Sequence, residues 1–331
     1  MDVRRLYFII YAENMFWIPG PSASRIFHLY QLIPAYSSLP HIRYKMIEKI
    51  KTAFSVFLIL LLFPYIVVML SGSQTEETLL AAKGDRIDVL DAWVMRILPG
   101  EMPVTYELEA LKAQAVIARS NLAWRMEAEG IGPEQISEER LEIWEMACYM
   151  PEELDELWGN KHFEEHYEKS TLAVQETSGK VLSYEGKYVD LPFHAVSAGQ
   201  TRDGSLLGEA YPYLKAVECP GDLEAEGYLG VVRLQTEDVP EILETDASGY
   251  VTEIRLGGKG MAGEEFRHRE ALNSSCFTIQ ETKNGWVATT KGVGHGFGLS
   301  MYQAHVQAFQ GKTFLEILQY FYEGMECISF S

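Results

Sequence analysis

From Thr52 to Thr75 the chain carries no charged residue, and residues 52–70, TAFSVFLILLLFPYIVVML, are almost wholly apolar. A stretch of that kind is costly to leave in water, and in a bilayer a helix satisfies its backbone. At about 1.5 Å per residue it reaches the thickness of a hydrocarbon core. The competing assignment, a buried helix of a globular core, usually has a shorter run. Lys45, Lys49 and Lys51 precede the run and acidic residues follow it. The positive-inside rule then places the N-terminus in the cytoplasm and the body outside the membrane. An uncleaved anchor fits the run better than a removed signal, and Pro64 is compatible with a membrane helix. The expected organisation is a cytoplasmic segment over 1–51, a transmembrane anchor over 52–70, a stalk over 71–84 and one folded domain over 85–327. Met46 opens MIEKIKTAF, which resembles a normal basic lead-in to an anchor, so initiation is expected at Met46, with 1–45 an upstream stretch.

The formal net charge of −19 is unevenly spread. Residues 1–51 hold seven basic and three acidic residues (+4), and the rest of the chain holds 21 basic and 44 acidic (−23). A phosphate backbone would repel such a body, which argues against nucleic acid as a partner. Cys148, Cys219, Cys276 and Cys327 form no CxxC pair and no metal-binding spacing. In an exported domain they could form disulfides, whose pairing the spacing leaves open.

Within the domain the pattern predicts an α+β fold: mixed helices and antiparallel strands around a substrate groove, preceded by the one N-terminal transmembrane helix. Residues 86–98 read as a strand and a helical turn, and 105–126 as a helix. Residues 127–168 carry fourteen acidic residues against Arg140 and Lys161. They read as a solvated helical insertion with Trp144, Leu154, Leu157 and Trp158 facing inward. The β-branched and aromatic text of 171–196 turns at Glu185-Gly186 and predicts a hairpin. Strands are expected at 228–236, 248–256, 275–281 and 286–291, with a short helix over 264–272. Two helices joined at Gly311-Lys312 close the chain.

The chemistry gathers in four stretches. The first is PGEMPVTYELEALKAQAVIARS, residues 99–120. Pro99-Gly100 and Pro103 form a rigid bend around Glu101, able to fix a carboxyl against a helix start. On a wheel of about 100° per residue, Lys112 and Arg119 fall inside the apolar stripe of the following helix, and its opposite face is apolar too. Two cations on a buried helix should be paired, line a polar cavity, or snorkel at the core boundary. The second stretch is PFHAVSAGQT, with His194, Ser197 and Thr201. The third is YPYLKAVECPGD (211–222), with Tyr213, Lys215 and Asp222. The fourth is GVGHGFGLSMYQAH, with His295, Ser300 and Tyr302 among four glycines. Glycine at that density brings backbone close to a ligand or supplies positive φ, or simply builds a turn around a structural histidine. A serine triad can be drawn from these residues, but no GxSxG elbow selects one. His162-Phe-Glu-Glu-His166 fits an HxxEH zinc pattern without an evident third ligand.

In this order the stretches resemble the sporulation stage II protein D (SpoIID) family. GEMP followed by ALKAQAVIAR, HAVSAGQT beside the family's HSTSGGxT, YLKAVECPGD beside YLKSV…D, and GHGFGLSMYQA beside GHGVGMSQYGA carry the resemblance over about residues 85–327. Ala198 stands where the family has the first glycine of SGG, and Met301-Tyr302-Gln303 departs from SQYG. The resemblance implies a membrane-anchored lytic transglycosylase acting on peptidoglycan glycan strands stripped of stem peptides during forespore engulfment. It also implies partners: an amidase/endopeptidase and a polytopic membrane protein. It makes Glu101 the catalytic acid/base, with Lys112, Arg119, His194, Ser197, Thr201, Tyr213, Lys215, Asp222, His295, Ser300 and Tyr302 as substrate-contact or supporting residues. Some members hold zinc through Cys and His of the insertion. Cys148 has no second cysteine nearby, so no metal and no cofactor is expected. Ordinary glycosidases need two carboxyls, whereas a lytic transglycosylase uses one, with the sugar's own C6 hydroxyl as nucleophile. Its acid should be raised by partial burial. Lys112 and Arg119 would oppose that if close, so they are expected away from the reacting bond, on a lactyl carboxylate. The runner-up function is a non-catalytic, wall-binding enhancer of an amidase, and a third is a structural tether.

Overall fold

The computed structural model describes residues 89–159 and 161–330. The expected cytoplasmic segment, anchor and stalk lie outside these residues. Helix α1 spans Val89–Glu101 and α2 spans Leu108–Glu129. The short helices α3 (Glu138–Ile143) and α4 (Pro151–Trp158) and the longer α5 (Phe163–Glu176) follow. Where a strand is expected at the start of 86–98, the described residues from Val89 onward are helical. Leu90, Val94, Ile97 and Leu98 recur at helical spacing, and all four are buried. Their burial as one face outweighs the β-branched content that suggested a strand.

Helix α2 is the axis of the larger core. It packs against α1, α5, strand β1 (Lys180–Ser183) and two C-terminal helices, α7 (Met301–Phe309) and α8 (Phe314–Phe321). Ala110, Ala113, Ala115 and Ala118 are fully buried, as are Leu111, Val116, Ile117 and Leu122. Small side chains on every face let several neighbours approach one helix at once. It ends at Gly130, whose φ of 66° closes a left-handed cap.

The predicted hairpin over 171–196 does not form. Tyr184 and Lys187 exchange backbone hydrogen bonds around the Glu-Gly turn, but the arms then part. Strand β1 pairs antiparallel with the C-terminal strand β10 (Glu326–Ser329). Strand β2 (Phe193–His194) pairs parallel with β9 (Leu299–Ser300). One cause is a contact distant in sequence: Asn121 of α2 gives its side-chain amide to Leu191 O at 3.1 Å and receives Leu191 N–H at 2.9 Å. A strand whose backbone is bonded to a helix side chain cannot ladder with its neighbour there.

A smaller core lies between two three-stranded sheets. One has the order β3 (Leu229–Arg233), β8 (Gly285–Lys291), β7 (Phe277–Thr282). The other has β4 (Pro240–Thr245), β5 (Val251–Leu256), β6 (Lys259–Ala262). With α6 (Gly263–Arg269) they enclose Val251, Ile254, Phe266, Phe277 and Ala288. In the acidic stretch Trp144 and Leu154 are buried and Trp158 is half-buried, but Leu157 is 50% exposed, contrary to expectation.

The mixed helices and strands are present, and the membrane part of the expectation is corrected. Among the described residues no helix is long and apolar enough to cross a membrane. The longest, α2, is interrupted by Lys112, Arg119 and Arg125. A transmembrane helix as part of the fold, and the single-pass localisation drawn from it, are therefore not supported.

Candidate active site

Glu101 is the last residue of α1, and a short turn (residues 102–107) joins it to α2. Gly100 is required by packing rather than by its dihedrals: a Cβ there would stand 2.7 Å from both Ala147 Cβ and the Tyr149 ring. Gln114 of α2 donates from Nε2 to Glu101 Oε2 at 2.9 Å. Burial raises the Glu101 carboxyl from 4.5 to about 7, with the Gln114 bond acting in the opposite direction. The residue itself is only partly enclosed. The result is a carboxyl that exchanges a proton near neutral pH and keeps an open side.

Lys112 and Arg119 face elsewhere. At about 100° per residue they lie about 160° and 140° around α2 from Gln114. Lys112 pairs with Glu109 at 2.5 Å and with Glu176. Arg119 is fully buried; its Nε meets Asp91 at 2.6 Å, and its Nη1 donates to Lys180 O at 3.0 Å. Of the alternatives open from the sequence, the structure realises pairing. Both cations are matched by carboxylates of the protein itself, which takes the place of the expected contact with a substrate carboxylate.

The second and fourth motifs meet through the β2–β9 pair. Asp222 is fully buried. Its Oδ2 accepts from Ser197 N at 2.7 Å, and Ser300 Oγ donates to the same carboxylate at 2.7 Å. Burial pushes this carboxyl up, against the Ser197 and Ser300 bonds. Ser300 also caps α7 by accepting from Gln303 N. Ser197 Oγ receives Gly199 N–H at 3.1 Å, so neither serine is set up with a histidine base. His194 Nδ1 bonds Phe297 O, and Phe297 N donates to His295 Nδ1, each at 3.0 Å. The two rings lie 5.7 Å apart. Burial lowers His194 to about 3 and His295 to about 4, which keeps both imidazoles neutral.

The alternating glycines are explained by backbone packing. Gly292, Gly294, Gly296 and Gly298 all have positive φ. A Cβ on Gly298 would lie 1.8 Å from Pro192 O, and one on Gly294 would lie 2.7 Å from His194 Cβ. The loop is pressed against the strand that carries the second motif.

The remaining expected residues are dispersed. Tyr213 is buried and donates to Asp190 O at 2.6 Å. Thr201 Oγ1 accepts from Val217 N at 2.9 Å, and Lys215 is exposed. Tyr302 is half-exposed, its ring 6.1 Å from Tyr106 and 5.8 Å from His305. Tyr106 in turn stacks on His305 at 4.7 Å. These three rings stand beside the turn that follows Glu101. His162 and His166 of the HxxEH stretch stack on each other at 5.5 Å, and among the described residues no group of three ligating side chains is placed to hold a metal ion.

Sequence reasoning missed Gln114, Tyr106, His305 and Arg202. Arg202 bonds Asp246 at 2.7 Å and Glu264 at 3.2 Å, with its guanidinium over Tyr250 and Phe297. Gln114 carried one signal, an amide set among Ala110, Leu111, Ile117 and Ala118 on its helix face.

Fold and site together define a mixed α/β-element protein with one proton-exchanging carboxyl at a helix end. The profile of the stage II sporulation protein (SpoIID) family matches residues 87–184. Stage II sporulation protein D of Bacillus amyloliquefaciens is 31% identical over 260 residues, covering 72% of this chain and 73% of that protein. The Bacillus subtilis protein of the same name is 30% identical over 254 residues, covering 72% and 74%. A more distant relative, the amidase enhancer of Bacillus subtilis, is 19% identical over 303 residues and is covered over 40% of its length. The chain belongs to the stage II sporulation protein D family.

Proposed function

We propose that the chain acts in sporulation as a lytic transglycosylase, cutting peptidoglycan glycan strands stripped of stem peptides and leaving 1,6-anhydro-muramyl ends. The observation that carries this reading is Glu101, a single carboxyl held at about 7 by burial at the GEMP bend. Near neutral pH a large fraction of it is protonated, so it can act as a general acid without a second carboxyl. It gives its proton to the glycosidic oxygen as the C1–O bond breaks. The resulting carboxylate then takes the proton of the C6 hydroxyl as that oxygen closes on C1. No water is consumed, and Glu101 ends protonated as it began.

The supporting roles divide by position. Tyr302, with Tyr106 and His305, offers half-exposed rings on which the apolar face of a sugar can stack. Lys215 is exposed and available to the glycan. His194, Ser197, Asp222, His295 and Ser300 support the platform from beneath, and Thr201 and Tyr213 tie its loops. The proposed roles of Lys112 and Arg119 are internal.

The amidase-enhancer relative favours a second reading, in which the chain binds wall glycan and stimulates an amidase. An amidase is accordingly the proposed partner under either reading. The full chain incubated with denuded glycan, with products read by mass spectrometry, separates the two. The transglycosylase releases anhydro-sugar ends, and Glu101→Gln lowers that release by roughly 10²–10⁴-fold. If the wild-type protein yields no anhydro ends but raises amidase turnover, the enhancer reading replaces it.

A further inference from the structure

Gln114 is fully buried, and its amide makes one hydrogen bond, from Nε2 to Glu101 Oε2. Among the described residues its carbonyl oxygen Oε1 has no hydrogen-bond partner. A buried acceptor left unpaired costs free energy. As a packing element Gln114 is therefore a poor choice, because an apolar side chain of the same length would fill the space without that cost. What the amide supplies, and an apolar side chain does not, is the bond to Glu101. The amide nitrogen faces Oε2, which can accept whether or not the other oxygen carries a proton. The bond also distinguishes the two oxygens of the carboxyl. Oε2 is held as an acceptor of an N–H, and a proton on the carboxyl is better placed on the other oxygen.

We propose that Gln114 is the positioning residue of Glu101: its N–H holds Oε2 as an acceptor in both protonation states and leaves Oε1 to carry the proton to and from the substrate. The second half of this statement rests on the transglycosylase reading; the coupling of the two side chains does not. In the first step the Oε1–H bond breaks, and its proton joins the glycosidic oxygen, which also takes the electron pair of the broken C1–O bond. In the second, the C6 oxygen bonds to C1 and its proton returns to Oε1. Through both steps Oε2 keeps the same partner, so the carboxyl need not turn between acting as acid and as base.

The test compares the wild-type chain with Gln114→Met, which keeps the side-chain length and removes the donor. The Glu101 carboxyl is followed by ¹³C NMR, with Glu101→Gln assigning the signal. Loss of the donor moves the Glu101 midpoint up by roughly half a pH unit or more. Turnover of denuded glycan falls roughly tenfold or more in kcat while KM stays within about twofold. The melting temperature does not fall, since the orphaned acceptor is gone. A folded Gln114→Met protein with an unmoved midpoint, or with unchanged kcat, overturns the proposal. A second measurement needs no variant: the side-chain amide proton shift of Gln114 should follow the titration of Glu101, and a flat profile overturns the proposal equally. If the wild-type chain releases no anhydro ends, the transglycosylase reading fails, while the midpoint and the amide shift still decide whether Gln114 holds Glu101.

Discussion

Arg119 and Glu101 are both ionisable groups drawn into protein, and they are accommodated in opposite ways. The Arg119 guanidinium is buried against Asp91, which meets it at 2.6 Å. Glu101 has one neutral amide partner, and burial moves its carboxyl to about 7. Its native pKa stands above the unfolded value, so the native state binds the proton more tightly. The associated stability is fully present below about pH 4.5 and is lost as pH rises through about 7. Glu101→Gln should therefore be more stable than wild type at pH 8 by roughly 1–3 kcal/mol, allowing for the partly open surface of the residue. It should show little difference at pH 4.5. Urea denaturation at the two pH values measures both, and an equal difference at each would show that the buried charge is not the cause. The bend of Pro99, Gly100 and Pro103 draws notice to Glu101, and the resemblance of GEMP to the family motif singles it out. Gln114 is not legible in this way, because its importance arises from a contact across the turn that no spacing announces.

At the scale of elements, the longer strands β3, β5, β7 and β8 fall where the sequence predicts them, while α1 replaces an expected strand and the short strands go unannounced. The apolar period of α8 is followed by burial of Ile317, Leu318 and Phe321, whereas α2 is buried on every face and α7 buries Gln303, Ala304 and Gln307. Strands β2 and β9 are two residues each, too short for alternation to mark them. Strand β10, ECIS, shows burial on one partly covered position only. The hairpin failed for a non-local reason: Asn121 occupies the Leu191 backbone. In the GHGFG stretch the glycines are accounted for by close backbone approach to Pro192 and His194. Gly298→Ala tests this. Its φ of 68° disfavours a side chain, and the new Cβ would meet Pro192 O at 1.8 Å. The expected loss is about 2–5 kcal/mol from left-handed strain and overpacking combined. Chemical denaturation checks it; a loss below about 0.5 kcal/mol, typical of a free surface position, would contradict the packing account.

For the described domain as a whole, the two cores differ in how they are assembled. The smaller is built from hairpins of neighbouring strands, β4–β5–β6 and β7–β8, with β3 added. The larger is closed by its latest part, since β10 pairs with β1 and Phe330 N donates to Gly179 O at 2.7 Å. Removing residues 326–331 should cost about 2–3 kcal/mol and lower the melting temperature by roughly 4–12 °C. Hydrogen exchange should rise at Val181 and Leu182 before it rises at Val251 or Ile254; uniform acceleration across both cores would contradict this division. The same pairing bears on how the protein is made. Strand β1 emerges during synthesis well before the partner that completes it, with the whole hairpin-built region in between. Pairings that distant are slow to form, so the smaller core can fold as it is synthesised. The helical core, and Glu101 within it, reaches its final packing only after β10 has emerged to pair with β1.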